Sequence, residues 1–446
     1  MHYRQDGAPE LNGNSKVQTL EQPESAHEAR GPEAQGGGKV TGLDRWLVRK
    51  ILQTSGNPPV RVMLWNGEEV ATSPAHSVGR VRLHDRATLL RILANPDLGF
   101  GDAYSAGRIE IEGGLVEILE TLYRAATTAP PVGLVKRLLL QWRNRPRTNS
   151  LRGSRSNIHR HYDIGNDFYR LWLDDQLLYT CAYFPTPNSS LEKAQVAKMD
   201  HVCRKVQLQP GQKVIEAGCG WGALALHMAR YYGVKVRAFN ISHEQIAFAR
   251  ERARAAGMTE QVEYVEDDYR NISGECDAFV SVGMLEHVGV EHYQLLGNLI
   301  RRCLKPDGLG LIHSIGKCQQ SPMNPWMETR IFPGSYLPTL REMMSVFEPC
   351  GFSVLDVENL RLHYAKTLEH WLERFEHAAD RVQAMFDQNF VRTWRLYLAA
   401  SIAGFTTGSI QLFQVVFAPA ASKTIPWTRA HIYTPEPGTA QGGPSA

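Results

Sequence analysis

Long apolar segments are missing from this sequence. No uninterrupted apolar run approaches the ~20 residues that a membrane-spanning helix needs. The first residues, Met1 to Asp6, do not begin the apolar core of a signal peptide. Hydrophobic residues make up 43% of the chain and charged residues 21%, which is typical of a soluble globular protein. Together these features predict a cytoplasmic protein.

Paired cysteine motifs are also missing. The seven cysteines are scattered and odd in number, and none belongs to a C-x-x-C pair. This pattern favours reduced thiols and argues against both a disulfide framework and a structural zinc site, so we expect no metal. The formal net charge is only +3, which by itself implies no nucleic-acid partner.

Positive charge is concentrated in one stretch. Between Lys136 and Arg160 the chain carries eight Lys or Arg residues and no acid, with Pro146 and Gly153 near its middle. Two interpretations stay open: a flexible solvated linker, and a segment attracted to an anionic membrane, where each basic residue contributes about 1 kcal/mol. RNA is a poorer candidate because aromatic residues that could stack on bases are nearly absent.

Composition divides the chain into five parts. The first 40 residues are rich in Gly, Pro, Glu and Gln and predict a disordered tail. A helical pattern near Trp46, a hairpin signal at Asn66-Gly67 and two later amphipathic helices indicate a small α+β domain that contains no catalytic constellation. The predicted parts are a disordered tail at 1–40, an amino-terminal domain at 41–143, a basic linker at 144–160, a catalytic domain at 161–420 and a mobile tail at 421–446.

The stretch from Val214 to Gly222 combines an apolar pair, an acid and three glycines spaced two apart. An apolar, helix-like segment follows, so the stretch predicts a strand, a tight turn and a helix, with glycine where the backbone takes positive φ or approaches a ligand. No lysine follows to meet a phosphate. Glu216, two residues before the first glycine, suits a ligand with a cationic amine or ribose hydroxyls, and S-adenosylmethionine has both. An ordinary glycine turn remains the alternative.

Strand-like and helix-like stretches alternate from Val214 onward, which predicts a mostly parallel sheet with helices on both faces and a ligand outside the carboxyl ends of the strands. Polar clusters follow several of these strands. The fifth is expected to end at Ile312, just before His313. Before the sheet, the aromatic residues between 160 and 184 suggest a lid over a ligand pocket, although packing against the next domain would look similar.

The chain closely resembles the cyclopropane fatty acid synthase family, which uses S-adenosylmethionine. The similarity runs from about Ile158 to Phe417 and is carried by seven strings in order: HYDIGNDFY at 161–169, YTCAYF at 179–184, EAGCGWG at 216–222, SVGMLEHVG at 281–289, HSIG at 313–316, IFPGSYLP at 331–338 and HYAKTLEHW at 363–371. The resemblance implies an α/β fold of the class I, Rossmann-like methyltransferase type, a doubly wound, mostly parallel sheet with helical insertions.

The resemblance also implies a reaction. The methyl carbon of S-adenosylmethionine is transferred to a cis double bond of an unsaturated acyl chain in a membrane phospholipid, and a bound bicarbonate removes a proton from the resulting cation as a cyclopropane ring closes. The positions that match the family's bicarbonate pocket are Cys181, Glu286, His313, Ile315 and Tyr364. We expect Glu286 and bicarbonate to share a proton, because two neighbouring anions repel each other. Cys181 is expected to shape the anion site and not to act as a nucleophile.

Further positions match the family's cosubstrate site. They are Tyr179, Thr180, Glu216, Gly218, Gly220, Asn240, Gln245, Asp267, Asp268 and Tyr269. By this resemblance Glu216 faces the amino-acid end, Gln245 the ribose hydroxyls, and residues 267–269 the adenine. The chain departs from the common family pattern at Asn240, where Thr is frequent, at Ser401, where Cys is frequent, and at Thr406, where Arg is frequent.

Three other functions stay open. The same cation could be resolved into a methylene- or methyl-branched chain, the methyl acceptor could be a soluble hydroxyl or amine, or the chain could be a non-catalytic protein that binds lipid surfaces. The resemblance implies an unsaturated phospholipid as partner, peripheral association with the inner face of the membrane, a homodimer, and no nucleic acid.

Overall fold

The computed structural model describes residues 38–72, 77–128 and 164–433. The predicted tail up to residue 37, the basic linker and residues 434–446 lie outside these ranges. Across the described residues, no helix is both long and apolar enough to cross a membrane.

The first unit is a small α+β fold, as its patterns predict. Its elements are α1 (Gly42–Thr54), β1 (Val60–Met63), β2 (Glu69–Val70), β3 (Gly79–Leu83), α2 (Arg86–Ala94), α3 (Pro96–Ser105), β4 (Ile109–Glu112) and α4 (Leu115–Thr128). The sheet order is β2-β1-β3-β4, with β1 and β3 parallel and both outer pairs antiparallel. Gly67 lies at φ +86° between β1 and β2, so the predicted hairpin is present.

The second unit contains a seven-stranded sheet. Its strands are β5 (Lys213–Ala217), β6 (Lys235–Asn240), β7 (Val262–Glu266), β8 (Cys276–Val282), β9 (Leu304–Gly316), β10 (Phe352–Asn359) and β11 (Gln411–Pro419). Its helices are α5 (Asn166–Tyr169), α6 (Leu191–Lys205), α7 (Ala223–Tyr232), α8 (His243–Ala255), α9 (Tyr293–Cys303), α10 (Leu340–Met343), α11 (Arg361–His377), α12 (Ala379–Met385), α13 (Gln388–Thr407) and α14 (Ala430–Tyr433).

The sheet order, β10-β11-β9-β8-β5-β6-β7, confirms the predicted α/β class. Strands β9, β8, β5, β6 and β7 are mutually parallel, and only the β10–β11 and β11–β9 pairs of this sheet are antiparallel. The chain leaves β5 toward β6 and β7 and then returns to β8 on the other side. The order therefore reverses between β5 and β8, where the carboxyl ends of the strands leave a crevice.

One predicted strand end is wrong. Strand β9 does not stop at Ile312 but continues through His313 and Ile315 to Gly316, because β11 pairs with it along that length, with His313 opposite Gln414. Side chains in a strand alternate between faces. His313 and Ile315, two residues apart in one strand, therefore project from the same face of the sheet.

The aromatic stretch expected to form a lid is packed into the core. Phe168, Tyr169 and Trp172 are fully buried, and the ring centroid of Phe168 lies 4.9 Å from that of Trp394 on α13. Of the two interpretations of this stretch, packing against the neighbouring helices fits the structure.

Helix α13 joins the two units. It packs against α11 of its own unit and against α3 and α4 of the first unit. Arg392 on α13 donates to the carbonyl oxygens of Tyr104 and Ile109, at 2.6 and 2.7 Å. The close approach of α3 to Trp326 leaves no room for a Cβ at Gly101.

Residues after 420 contact the second unit as far as the structure describes them. Ile432 on α14 is buried, and its carbonyl oxygen accepts a hydrogen bond from Arg204 at 2.8 Å. Arg429 pairs with Asp356 on β10 at 2.6 Å. The packed structure thus extends past the predicted domain end at 420, because Ile432 supplies an apolar anchor.

A cluster of hydrogen-bonded ionisable side chains, most of it buried, joins α6 to β10. The side chains of His201 and Lys205 are fully buried, and both donate to Oε2 of Glu358, at 2.7 and 2.6 Å. Burial raises the pKa of Glu358, but the hydrogen bond from His201 and the charge of Lys205 outweigh it and hold that pKa at about 2. Glu358 is therefore ionised in the folded protein at all ordinary pH values.

Replacing Glu358 with Ala should lower the free energy of unfolding by about 3–5 kcal/mol, because it removes the 2.6 Å partner of the buried Lys205 ammonium and leaves only the longer, 3.6 Å contact with Asp356. Urea denaturation at pH 7 measures this loss. The control is Glu369→Ala, which removes an exposed pair with Lys366 (3.2 Å) and should cost under ~1 kcal/mol. Equal costs for the two variants would contradict the assignment. Because the folded pKa is depressed, the contribution of Glu358 is present above its ordinary value of 4.5 and is lost as pH falls toward 2.

Candidate active site

A cavity of about 1600 Å³ opens at the carboxyl ends of β5, β8 and β9. Most of the predicted site residues line it. They are Tyr179, Thr180, Glu216, Gly218, Gly220, Asn240, Gln245, Glu286, His313, Ile315 and Tyr364. Cys181, Asp267, Asp268 and Tyr269 do not line it. The sheet thus brings together residues that lie far apart in the chain.

The glycine turn after β5 forms one wall. Gly218 has φ +87°, and its amide donates to the carbonyl oxygen of Phe239 on β6 at 2.9 Å. Gly222 has φ +82°, and a Cβ there would lie 2.5 Å from Oη of Tyr264. Both positions therefore require glycine. The turn holds its backbone against the cavity, as the G-x-G-x-G pattern predicts.

Glu216 is the next-to-last residue of β5, and its carboxyl group is buried. Its Oε2 has no hydrogen-bond partner within the described part of the chain. Burial raises its pKa to about 8, against the opposing charge of Lys198. A buried, unpaired carboxyl group that lines a cavity can stabilise a cationic ligand group, because ionisation then becomes favourable.

Lys198 is a site residue that the sequence analysis missed. It lies on α6, lines the cavity, and donates to Oγ1 of Thr180 at 2.7 Å. Burial lowers its pKa to about 8, although the charges of Asp174 and Glu216 favour the protonated form. The signal was its spacing, since Lys198 lies seven residues after Leu191 and four before Val202, on the apolar face of the helix.

Asn240 and Gln245 lie next to each other at the end of β6. Nδ2 of Asn240 donates to Oε1 of Gln245 at 2.7 Å and reaches the carbonyl oxygen of Gly220 at 3.4 Å. The pair presents amide groups to the cavity beside the glycine turn. Such groups can hydrogen-bond hydroxyls.

Residues 267–269 lie beside this pair but outside the cavity wall. The amide of Asp267 donates to the carbonyl oxygen of Asn240 at 3.0 Å. Oδ1 of Asp268 accepts from the amide of Arg270 at 3.0 Å, and the Arg270 guanidinium lies 5.2 Å from the ring centroid of Tyr269. Their contacts shape a turn, and their contact with adenine stays a prediction.

Glu286 and Ile315 are joined across the sheet ends. Oε1 of Glu286 accepts from the backbone amide of Ile315 at 2.7 Å, while Oε2 is buried without a partner among the residues described. Burial raises the pKa of Glu286 to about 7, and the Ile315 hydrogen bond opposes this rise. The backbone amide of Ile315, one of the positions that match the family's bicarbonate pocket, thus already donates to Glu286.

His313 is buried in β9, and its Nδ1 lies 3.0 Å from Nε2 of Gln414. With the Gln414 amide in this orientation, its Nε2 donates to Nδ1 of His313 and the ring proton is on Nε2. Burial lowers the pKa of His313 to about 3, so the ring is neutral. The ring of Tyr364 packs 4.6 Å from that of Phe405 and also lines the cavity.

Cys181 does not shape the cavity wall as expected. Its thiol is fully buried and directed at the carbonyl oxygen of Ala182, 3.1 Å away. Burial raises its pKa well above its usual range, so it is not a nucleophile. Of the seven free cysteines, Cys318 alone is exposed, and it lines the cavity.

His287 and Ser401 also line the cavity. Burial lowers the pKa of His287, next to Glu286, to about 4. Ser401 faces the cavity from α13. The arrangement has a polar end, formed by Glu216, Lys198 and the amides, and an apolar end that begins at Glu286 and His313.

Comparison with known proteins agrees with this geometry. Residues 149–415 match the Mycolic acid cyclopropane synthetase family, and residues 47–129 match a domain family of unknown function. A probable fatty acid methyltransferase of Pseudomonas putida is 34% identical over 394 residues, covering 84% of this chain and 96% of that protein. The cyclopropane-fatty-acyl-phospholipid synthase of Escherichia coli K12 is 40% identical over 259 residues, covering 58% of this chain and 66% of the relative.

A solved structure also matches. The mycolic acid cyclopropane synthase CmaA1, complexed with S-adenosylhomocysteine and CTAB, aligns with a TM-score of 0.57 at 30% identity, covering 59% of this chain and 97% of that one. The matched family covers more than half of the chain, and the strand order and glycine turn are those of a class I methyltransferase. This chain belongs to the cyclopropane synthase family and is an S-adenosylmethionine-dependent methyltransferase.

Proposed function

We propose that the protein transfers the methyl carbon of S-adenosylmethionine to a cis double bond of an unsaturated acyl chain in a membrane phospholipid, and closes a cyclopropane ring. One observation carries this proposal above the others: the buried Glu286 lies with His313 in the wall of a cavity that also contains the polar Glu216 end. Methyl donor and alkene can therefore meet in one space.

The polar end suits the cosubstrate. Glu216 faces the ammonium group of the methionine part, and Asn240 with Gln245 faces the ribose hydroxyls. The glycine turn lets the backbone approach between them. Lys198 does not touch the donor in this assignment but holds Thr180 at 2.7 Å and supplies a compensating charge while Glu216 is ionised.

The reaction requires an apolar cavity from which water is excluded. The alkene π electrons form a bond to the methyl carbon as the carbon–sulfur bond breaks, which releases S-adenosylhomocysteine and leaves a carbocation. Loss of a proton from the new methyl group then allows the ring to close. An alkene is a poor nucleophile, so the protein contributes by positioning and by excluding water that would trap the cation.

The residues around Glu286 fit a small anion. Bound bicarbonate would supply the base that removes the methyl proton. Its neighbours would be the unpartnered Oε2 of Glu286 and the Nε2–H of His313. With its pKa raised to about 7, Glu286 can carry the proton that two adjacent anions must share. The Ile315 amide would be shared between Glu286 and the anion.

The same carbocation can also give a second product. The relative of P. putida is named a probable fatty acid methyltransferase, which favours a methyl- or methylene-branched chain as the alternative product. A soluble acceptor is less suited to the large apolar part of the cavity, and a non-catalytic lipid binder would not need the polar end. We also propose that the protein works at the inner membrane face as a homodimer.

Lipid analysis tests the proposal. The protein is expressed in a host without cyclopropane lipids and fed methionine that carries a fully deuterated methyl group. A cyclopropane or methylene product keeps two of the three deuterium atoms, whereas a methyl-branched alkene, formed when the cation loses a proton from a chain carbon, keeps all three. Mild hydrogenation then separates the first two, because it saturates the methylene group more readily. Absence of any labelled lipid would overturn the proposal.

Affinity for S-adenosylmethionine should rise with pH between pH 6 and pH 8. The pKa of Glu216 without ligand is raised to about 8, so the group must lose a proton to meet a cation, and one released proton changes affinity by up to about tenfold per pH unit. The slope should vanish above about pH 8. Calorimetric titration measures it, and Glu216→Gln, which cannot ionise, should show a flatter profile. Equal slopes in both proteins would contradict the assignment.

A further inference from the structure

The cavity does not end in the catalytic domain. It continues into the interior of the first unit, where side chains of the hydrophobic core line it. Six of these residues are Val48, Leu52, Val60, Val81, Leu83 and Leu89. Each is less than 9% exposed and comes from α1, α2 or the sheet. The small domain therefore encloses part of the cavity within its hydrophobic core.

One face of α13 runs along both parts of the cavity. The residues on this face that line it are Leu396, Tyr397, Ala400, Ser401, Gly404 and Phe405. Phe405 packs on Tyr364 in the catalytic part. A Cβ built on Gly404 would lie 3.8 Å from Cε2 of Tyr123, which lines the cavity from α4 of the first unit. The two parts thus share a wall.

The part of the cavity inside the first unit suits an apolar ligand. Protein interiors are packed as densely as organic crystals, and each unfilled volume in a core costs stability. Asp97, an acid that lines the junction, has its Oδ1 bonded to Nδ2 of Asn324 at 3.1 Å. The aliphatic side chains beyond it offer contact to a hydrocarbon and few polar groups to a polar ligand.

We propose that the interior of the first unit is a chamber for the methyl-terminal segment of the acyl chain, the part beyond the reacting double bond, and that it limits the length of this segment. The inference rests on the proposed function. The opposite orientation would bury a charged headgroup among aliphatic side chains, which is strongly unfavourable. The headgroup therefore stays at the open end and the methyl end enters the small domain.

Two adjacent leucines on α2 provide a matched test. Leu89 is fully buried and lines the chamber, whereas Leu90 is 51% exposed and does not. Each is replaced by Trp, and rates are measured on phosphatidylglycerol vesicles whose acyl chains share a cis-9 double bond but differ in length, 14 or 18 carbons. Leu89→Trp should lower the 18-carbon rate relative to the 14-carbon rate by about tenfold, the loss expected when two methylene groups lose their contacts. Leu90→Trp should leave the ratio unchanged.

Two other results of this experiment would contradict the proposal. If Leu89→Trp lowers the rates on both chain lengths equally while its melting temperature stays that of wild type, the proposal of a chamber is wrong. If Leu89→Trp does not fold, Val81→Leu adds a single methylene at another chamber position and should shift the ratio in the same direction. An unchanged ratio in folded Val81→Leu would likewise overturn the proposal.

Binding separates this proposal from the proposed function. Calorimetry with cis-9-octadecenoate should give weaker binding for Leu89→Trp and unchanged binding for Leu90→Trp, even if no lipid product forms at all. Product formation without any dependence of binding or rate on Leu89 would leave the proposed function intact and reject the chamber.

Discussion

Product formation should fall by about 10²- to 10⁴-fold in the variant Glu286→Gln, the range expected when a group that handles a proton is removed. Gln keeps the shape of the side chain and an oxygen that can accept from the Ile315 amide, 2.7 Å away in the native protein. It cannot carry or share a proton at the Oε2 position. Affinity for S-adenosylmethionine should stay unchanged, because Glu216 and the amides at the polar end are untouched.

The same exchange five residues further on is the control. Glu291 is exposed, and its only ion pair among the described residues is a 3.9 Å contact with His292. Glu291→Gln should therefore leave the rate within about twofold of wild type, as exposed pairs contribute little. Labelled lipid is quantified by mass spectrometry for all three proteins. An undiminished rate in Glu286→Gln would remove this carboxyl group from the mechanism.

Glu216→Gln should weaken binding of S-adenosylmethionine by about 2–5 kcal/mol, which is roughly 30-fold or more. The loss arises because the ammonium group of the ligand would be buried without a countercharge. The ligand-free protein should be at least as stable as wild type, since the native carboxyl group is buried with Oε2 lacking any partner among the described residues. Weaker binding together with unchanged or higher stability is a combination that general misfolding cannot produce.

Calorimetric titration and thermal melting measure the two quantities. Glu263→Gln is the matched control, because Glu263 lies on β7, is 63% exposed and pairs with Arg237 at 3.0 Å. It should change neither quantity appreciably. A dissociation constant for Glu216→Gln within about threefold of wild type would show that the ammonium group binds elsewhere.

Much of the fold can be predicted from short patterns in the sequence. The alternation of strands and helices, the glycines at 218, 220 and 222 and the acid before them follow rules that act within a few residues, and the structure agrees with them. The candidate site could also be assembled in outline, because the polar clusters follow strands whose carboxyl ends meet at one edge. Glu286, His313 and Tyr364 do line one cavity.

The features that could not be predicted from the sequence depend on packing between residues that lie far apart in the chain. Strand β9 continues past Ile312 as far as Gly316 along β11, which lies about a hundred residues later in the chain. The direction of the Cys181 thiol depends on backbone packed around it, and Lys198 looks like an ordinary helix lysine until α6 is placed against the sheet. The part of the cavity inside the first unit has no signature at all, since the same aliphatic residues would fill a closed core.

The uneven exposure of the cysteines has a practical use. A maleimide reagent needs an accessible sulfur, and six of the seven thiols are enclosed while Cys318 faces solvent at the cavity wall. A fluorophore can therefore be attached at one native position, with no engineered substitution, and its emission would report when a lipid enters beside it.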